Sequence, residues 1–252
     1  MSYNIRYNNQ SDGENRWDER KTDVAELILK HSPIAFGVQE ALYSQMEFLD
    51  SVLVDYEYIG GGRDDGRKKG EFSAIFYNTK ELNVVDQCTI WLSLTPHNVS
   101  KGWDAALPRI CTIGRFRHIN SNKEFFFFNT HFDHRGNMAR FQSSLLIGKK
   151  LRELNIQKLP VILAGDFNAK PKQRPILYLS EILEDAAQIS ESSVTGPTGT
   201  FSGFDTKAKL KDRIDYIFSS GFKISSYMHL DDKRPNGLWP SDHLPVVIKA
   251  NF

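Results

Sequence analysis

The stretch Ser241-Asp242-His243-Leu244-Pro245 determines how the rest of the chain is interpreted, together with Gly165-Asp166-Phe167-Asn168-Ala169 and Asn129-Thr130-His131-Phe132-Asp133. Each stretch places acid, base or metal-ligand groups where an apolar, strand-like run meets a loop. Such positions allow a rigid sheet to direct side chains into one shared cleft. One such stretch could arise by chance, but three together predict an active site.

Composition limits the kind of protein to which this site belongs. The chain has 252 residues, of which 40% are hydrophobic, and no linker rich in Pro, Gly or Ser divides it. We therefore expect one domain over residues 1–252. The 32 basic residues nearly balance the 31 acidic ones, for a formal net charge of +1. A polyanionic partner would need a local basic patch, since no global field favours nucleic acid or an anionic membrane.

Cysteine usage and hydropathy exclude several classes. Cys88 and Cys111 are the only cysteines, too few for a disulfide framework or a cysteine-based zinc site, and we expect both to be buried free thiols. No run approaches the roughly 18 apolar residues of a membrane span. We expect a soluble monomer, in the cytoplasm or, if a leader was trimmed before Met1, secreted.

Hydrophobic periodicity gives a mixed pattern of helices and strands. Helices are predicted at 18–30, 137–154 and 176–183, with another segment carrying Met46, Leu49, Leu53 and Val54 on one side. Strands are predicted at 34–38, 72–77, 82–92, 110–117, 124–130, 161–164, 214–219, 222–229 and 246–250. Predicted helices and strands alternate in the first part of the chain, while hairpin-like pairs of strands dominate its middle and end. This order predicts an α/β fold, a four-layer α-β-β-α sandwich of two packed mixed β-sheets flanked by helices.

The polar residues at predicted strand ends are mostly oxygen donors. They are Asn4, Glu40, His131, Asp133, Asp166, Asn168, Asp215, Asp242 and His243. Hard oxygen ligands without cysteine or paired histidines favour Mg²⁺ over zinc, with Mn²⁺ as an alternative. A metal-activated water and a histidine base suit hydrolysis of phosphate esters.

Six ordered motifs resemble those of the endonuclease/exonuclease/phosphatase superfamily. They are Asn4, Gln39-Glu40, Thr130-His131-Phe132-Asp133, Gly165-Asp166-Phe167-Asn168, Arg213-Ile214-Asp215-Tyr216 and Ser241-Asp242-His243. The resemblance spans nearly the whole chain and implies a four-layer sandwich with divalent-metal phosphoester hydrolysis. The stretches 70–77 and 91–93 resemble the bacterial branch nearer the deadenylase-like members.

The resemblance implies a metal site on three residues. Glu40 would be the principal Mg²⁺ ligand, with Asn4 and Asp242 completing or supporting the site. Whether one or two ions bind stays open.

The resemblance also implies catalytic roles. His243, oriented by Asp215, would activate water; Asp166 and Asn168 would align the nucleophile and hold a phosphate oxygen. His131 would donate to the phosphate as negative charge builds. Either Asp166 or His243 could be the general base.

Basic and acidic residues beside these motifs are candidates for substrate binding. Arg63 lies in a basic, Gly-rich segment, which is either a flexible turn or a grip on a second phosphate. Arg109 is the arginine most expected to touch phosphate, and Glu71 is a candidate polar contact. Asp133 contacts substrate or anchors a neighbouring loop or histidine. Several aromatic side chains, Phe201 among them, could stack on a base or sugar.

The first hypothesis is a phosphodiesterase or nuclease-like enzyme acting on a nucleic-acid end or a small phosphodiester. The first alternative is a phosphomonoesterase for a small sugar or inositol phosphate. The segment Lys211–Tyr216 lacks the Trp-Cys/Thr-Asp-Arg pattern of inositol polyphosphate phosphatases, which argues against an inositide. The second alternative is a catalytically silent module that binds a phosphorylated ligand.

Overall fold

The computed structural model describes residues 1–252 and contains twelve strands and five α-helices. The strands are β1 (Ser2–Asn4), β2 (Ala35–Gln39), β3 (Tyr56–Ile59), β4 (Ile75–Asn78), β5 (Leu82–Trp91), β6 (Ile110–His118), β7 (Glu124–His131), β8 (Val161–Asp166), β9 (Glu184–Asp185), β10 (Asp215–Ser220), β11 (Lys223–His229) and β12 (Val246–Asn251). The helices are α1 (Trp17–His31), α2 (Tyr43–Val52), α3 (Asn137–Leu154), α4 (Arg174–Ile182) and α5 (Ala186–Ile189).

The strands form two six-stranded sheets, ordered β11-β12-β1-β2-β4-β3 and β5-β6-β7-β8-β10-β9. Each sheet holds one parallel pair, β1 with β2 and β7 with β8, among antiparallel neighbours. Separate apolar clusters lie between α1, α2 and the first sheet, between the sheets, and between the second sheet and α3 and α4. The predicted four-layer sandwich of mixed sheets is confirmed.

Strand β7 shows how the sequence builds these layers. Phe125 and Phe127 pack between the sheets, while Phe126 and Phe128 pack toward α3 and α4. Successive side chains of a strand point to opposite faces, so an unbroken apolar run is buried on both faces. This run places β7 in the centre of the sandwich.

A polar contact fixes the distance between the sheets. The buried Asn129 on β7 donates through Nδ2 to the backbone oxygens of Val38 and Ala74, and its Oδ1 accepts from Gln39 Nε2. A Cβ added at Gly37 would lie 2.4 Å from Asn129 Cγ. Only glycine permits this close approach of the two sheets.

Several predictions at the edges of the fold are wrong. Strand β3 was not predicted, and β4 begins at Ile75 rather than residue 72. Helix α2 ends at Val52, so Val54 lies beyond it and is exposed. Cys111 is buried, but Cys88 is exposed because β5 is an edge strand with one open face. None of the helices combines the length and hydropathy needed to cross a bilayer.

The sheet register brings three candidate residues into one row. Residue His131 at the end of β7 is paired with Asp166 at the end of β8, and Asp166 is paired with Asp215 at the start of β10. Asn4 ends β1, and Glu40 directly follows β2. All five therefore lie at the same edge of the sandwich.

Candidate active site

The acidic centre of the site combines residues from both sheets. Asn4 Nδ2 donates to Glu40 Oε1 and to Asp166 Oδ2, each at 3.0 Å. Glu40, Asp166 and His243 each offer one possible metal-ligand atom, and these three atoms lie within 4.8 Å of one another. Glu40 and His243, which are 203 positions apart in the chain, thus share one small volume.

A hydrogen bond from the backbone fixes the orientation of the Asn4 side-chain amide. Its Oδ1 accepts the backbone N–H of Arg6 at 3.0 Å, which directs its Nδ2 toward the two carboxylates. Asn4 therefore orients Glu40 and Asp166 in this arrangement.

Three residues of the site have backbone conformations that L side chains rarely adopt. Arg6 has φ 55°, Glu40 has φ 64° and Asn168 has φ 46°. Left-handed conformations of non-glycine residues cost on the order of 1–3 kcal/mol and cluster at functional sites. For Glu40, the conformation follows the end of β2 and lets Oε2 accept from Tyr7 N at 3.2 Å.

His243 is held by a carboxylate. Its Nδ1 donates to Asp215 Oδ2 at 2.9 Å, and its Nε2 lies 3.7 Å from Asp166 Oδ2. Burial alone would lower the pKa of His243, but Asp215 and Asp166 raise it well above the usual value. Burial and the nearby Asp215 raise the pKa of Asp166. The imidazole has a fixed tautomer and a high proton affinity at Nε2.

The pKa of His131 is shifted in the opposite direction from that of His243. Asn168 Nδ2 donates to Phe132 O and contacts His131 Nε2, both at 3.0 Å, so Nε2 is the acceptor and the imidazole proton lies on Nδ1. Burial and the charges of Arg109 and Arg63 lower the pKa of His131 well below its usual value. His131 is therefore a neutral imidazole. In this arrangement, the proton that His131 can donate is the one on Nδ1.

The residues of the acidic centre fit a divalent cation. Glu40 and Asp166 direct carboxylate oxygens into the same space, and oxygen donors are the ligands that Mg²⁺ prefers. Asp242 is buried beside them, with its Oδ2 3.9 Å from Arg6 Nε. The donor set favours a hard cation and identifies no particular ion.

Glu71 marks the other end of the cleft. Its Oε2 accepts from Arg63 Nη1 at 2.6 Å and lies 3.9 Å from Arg109 Nη1. Arg109 Nη2 contacts His134 Nδ1 at 3.0 Å. Burial and Glu40 raise the pKa of Glu71, while Arg63 and Arg109 oppose that shift.

Asp133 does not line the cleft. Its Oδ1 accepts from the N–H groups of Arg135 and Gly136, and its Oδ2 accepts from Ala106 N and Arg109 Nε. Burial opposes ionisation, but the N–H donors of Gly136, Ala106 and Arg135 lower the pKa of Asp133 to about 2. These contacts are those of a loop anchor, the second of the two roles considered for this residue.

The cleft has a volume of about 470 Å³. Its lining includes residues that sequence reasoning missed, notably Arg6, Tyr7 and Leu107. Arg6 lies two residues after Asn4, the last residue of β1, and this position was the available signal. Its Nη1 is 4.0 Å from Glu40 Oε2. Phe201 is partly exposed there, and its ring lies 4.9 Å from that of His243.

Comparison with known proteins agrees with this geometry. A model of the Endonuclease/Exonuclease/phosphatase family matches residues 1–243. The chain belongs to this family. The family resemblance inferred from the motifs is confirmed.

Three relatives represent the family around this chain. The structure of the mannosyl-6-phosphatase Bt3783 of Bacteroides thetaiotaomicron is 39% identical, with a TM-score of 0.95 over 100% of this chain and 98% of the other. An uncharacterized protein, L388, of Acanthamoeba polyphaga mimivirus is 30% identical over 92% of this chain and 91% of its own length. Human nocturnin is 23% identical over 94% of this chain, which spans only 59% of nocturnin.

Proposed function

We propose that this protein is a Mg²⁺-dependent phosphoester hydrolase that prefers phosphate monoesters. The observation that carries the proposal is the convergence of Glu40, Asp166 and the His243–Asp215 pair at one edge of the sandwich. Carboxylates for a cation beside a carboxylate-held histidine are the groups that this reaction requires. A silent binding module has no need of both.

In the proposed mechanism, Asp215 keeps the proton of His243 on Nδ1, so that Nε2 receives a proton from the attacking water. As the oxygen of this water bonds to phosphorus, the P–O bond to the alcohol breaks, and the leaving oxygen takes up a proton from solvent. Asp166 lies between His243 and His131 and aligns the water through its buried carboxylate. A bound divalent cation supplies charge neutralisation at the phosphate oxygens and polarisation of water. Asn168 positions His131 at the phosphate end of the cleft.

A similar protein supports the preference for monoesters. The relative with 39% identity and a TM-score of 0.95 is described as a mannosyl-6-phosphatase. The near-neutral chain, with 32 basic and 31 acidic residues, also lacks the excess positive charge of proteins that track long nucleic acids. Both observations favour a small phosphorylated substrate.

A panel of esters tests the proposal. Phosphate release should be measured with Mg²⁺ on p-nitrophenyl phosphate, bis-p-nitrophenyl phosphate, hexose 6-phosphates, inositol phosphates and short oligonucleotides. We expect monoester hydrolysis that is lost in EDTA and in Asp166→Asn, and kept in the matched surface variant Asp50→Asn. Hydrolysis that survives both EDTA and Asp166→Asn would contradict the proposal.

Nuclease activity on a nucleic-acid end is the second candidate function. The partly exposed ring of Phe201 lies beside His243 and offers a stacking face to a base. Cleavage of oligonucleotides faster than of sugar phosphates in the same panel would favour this candidate. A Phe201→Ala variant should then lose oligonucleotide cleavage selectively.

A further inference from the structure

A pocket outside the catalytic cleft is lined by three cationic side chains. It has a volume of about 330 Å³, its wall includes Arg140, Lys172 and Arg174 from the starts of α3 and α4, and no acidic residue lines it. None of the three cations has a carboxylate oxygen within 4.0 Å, whereas the neighbouring Lys170 pairs with Asp212 at 2.7 Å. The pocket therefore concentrates positive charge in a chain whose formal net charge is only +1.

The charge of Arg140 is buried without an opposite charge. Only 7% of the residue is exposed, and its guanidinium donates to two neutral acceptors, the backbone oxygen of Asp133 at 2.8 Å and Asn137 Oδ1. Buried charges in proteins are normally paired, because neutral acceptors do not fully offset the loss of water around a charge. An anion in the pocket would supply the missing counter-charge.

Two carboxylates near the start of α3 do not neutralise the pocket. Asp104 accepts from N–H groups in the first turn of α3, and Asp133 accepts from backbone N–H groups and from Arg109. Neither aspartate lines the pocket. Because these oxygens are hydrogen-bonded to α3 and its flanking loops, the cations of the pocket are left to an external anion.

Arg174 offers both side-chain and backbone donors. Its guanidinium stacks on the ring of Phe141, with Cζ 4.1 Å from the ring centroid, which fixes its plane. Arg174 is also the first residue of α4, and its backbone N–H donates to no backbone acceptor. A helix N-terminus favours negative charge, and the paired N–H groups of a guanidinium match the oxygens of a phosphate group. These donors suit phosphate better than a neutral ligand.

The pocket adjoins the catalytic cleft along two loops. Asn168 and His134 line the cleft, while Lys172, four residues after Asn168, and Asn137, three residues after His134, line the pocket. Since a chain advances by at most about 3.6 Å per residue, the Cα atoms of each pair are no more than about 14 Å apart. One flexible molecule can therefore reach from the cleft to the pocket.

We propose that Arg140, Lys172 and Arg174 form a second anion site, which binds a phosphate group other than the one being hydrolysed. Phosphate matches three cations better than a carboxylate does, because a phosphate monoester carries about −1.5 to −2 charge at pH 7. The group is either a second phosphate of the substrate or free inorganic phosphate, which present the same oxygens to these donors. Only the first of these sources rests on the proposed function.

Titration with inorganic phosphate tests the site without turnover. Proton–nitrogen correlation NMR of the Mg²⁺-loaded protein, at constant ionic strength, should show saturable shifts of the Arg174 backbone amide and of Arg140 Nε. We expect the Kd reported by Arg140 Nε to rise at least about tenfold in the double variant Lys172→Gln/Arg174→Gln. Arg152→Gln, an exposed arginine farther along α3, is the matched control and should keep the wild-type Kd. No saturable shift in the wild type, or an unchanged Kd in the double variant, would overturn the site.

A pair of esters identifies the source of the phosphate. The kcat/KM should be measured for α,ω-alkanediol bisphosphates with spacers of up to about 14 Å and for alkyl monophosphates of the same length. A preference for the bisphosphate of at least about tenfold, lost in Lys172→Gln/Arg174→Gln and kept in Arg152→Gln, would assign the site to the substrate. Equal kcat/KM values beside saturable phosphate binding would assign it to free phosphate. Hydrolysis of neither ester would contradict the proposed function alone, because the titration needs no turnover.

Discussion

Asp166 and Asp215 stand directly opposite each other on the antiparallel strands β8 and β10, and one imidazole contacts both. His243 Nδ1 is 2.9 Å from Asp215 Oδ2, and Nε2 is 3.7 Å from Asp166 Oδ2. The spacing of the two carboxylates is thus set by sheet register, which is more rigid than a loop. The placement of these two carboxylates around His243 is a consequence of how the second sheet is assembled.

This relationship predicts the pH dependence of activity. Asp215 and Asp166 raise the pKa of His243, so at a given pH the unprotonated imidazole that a base requires is less abundant than in a free histidine. The rate should therefore increase with pH through the raised pKa. Asp215→Asn removes one cause of that shift, which should move the acid limb of the kcat/KM profile to lower pH and reduce the maximal rate. If the acid limb of the Asp215→Asn profile lay at the same pH as that of the wild type, this prediction would be contradicted. The exposed Asp86→Asn variant is the control and should keep the wild-type profile.

Arg20 is predicted to be a large contributor to stability. Its fully buried guanidinium donates to four backbone oxygens, those of Ile5, Arg6, Asn15 and Pro240. Arg20→Leu would leave several of these acceptors unpaired, and we expect the free energy of unfolding to fall by about 3 kcal/mol or more. Urea unfolding measures this, and the exposed Arg16→Leu should change it by less than about 0.5 kcal/mol. Equal effects of the two variants would refute the assignment.

His229 is predicted to make stability depend on pH. Its Nδ1 donates to Pro197 O at 2.7 Å, and its Nε2 accepts from Tyr227 OH at 3.0 Å, so the folded imidazole is neutral. Burial lowers the pKa of His229. The unfolded chain binds a proton below about pH 6.5 that the folded chain does not, so stability is lost as pH falls. Other histidines also titrate in this range, so the free energy of unfolding should be measured against pH for both wild type and His229→Gln. Between pH 7 and 5, the slope for His229→Gln should be shallower than the slope for wild type. Identical slopes would contradict the account.

Gly37 and Asn129 are predicted to be coupled. Gly37→Ala places a methyl group 2.4 Å from Asn129 Cγ and should destabilise the protein by roughly 2 kcal/mol. Asn129→Ala removes both the clash and the contacts between sheets, so the double variant should be less destabilised than the sum of the single variants. A double-mutant cycle by chemical denaturation measures this. Strict additivity would show that the two residues do not limit the sheet separation.

Much of the fold and the membership of the acidic centre could be predicted from the sequence. Long periodic segments such as α3, over Asn137–Leu154, are fixed by local pattern, and the predicted bounds agree with it. Ordered motifs with polar residues at strand ends brought Asn4, Glu40, Asp166 and His243 together correctly. Short elements such as β3 carry too few residues for a clear period and were missed.

Side-chain partners could not be predicted, because they depend on residues far apart in the chain. The amide of Asn4 faces the carboxylates because Arg6 N holds its oxygen. Arg20 was recognised only as part of a helix, although it contacts Pro240, 220 positions away. No local sequence pattern predicts contacts between residues so far apart in the chain, because these contacts form only when both sheets have formed.

The turnover of His243→Ala tests the central claim most directly. The initial rate of phosphate release from a hexose 6-phosphate should be measured in Mg²⁺ for wild type and His243→Ala, with circular dichroism as the check of folding. We expect the folded variant to lose on the order of 10²-fold or more of its kcat. A folded His243→Ala protein with the wild-type rate would contradict it.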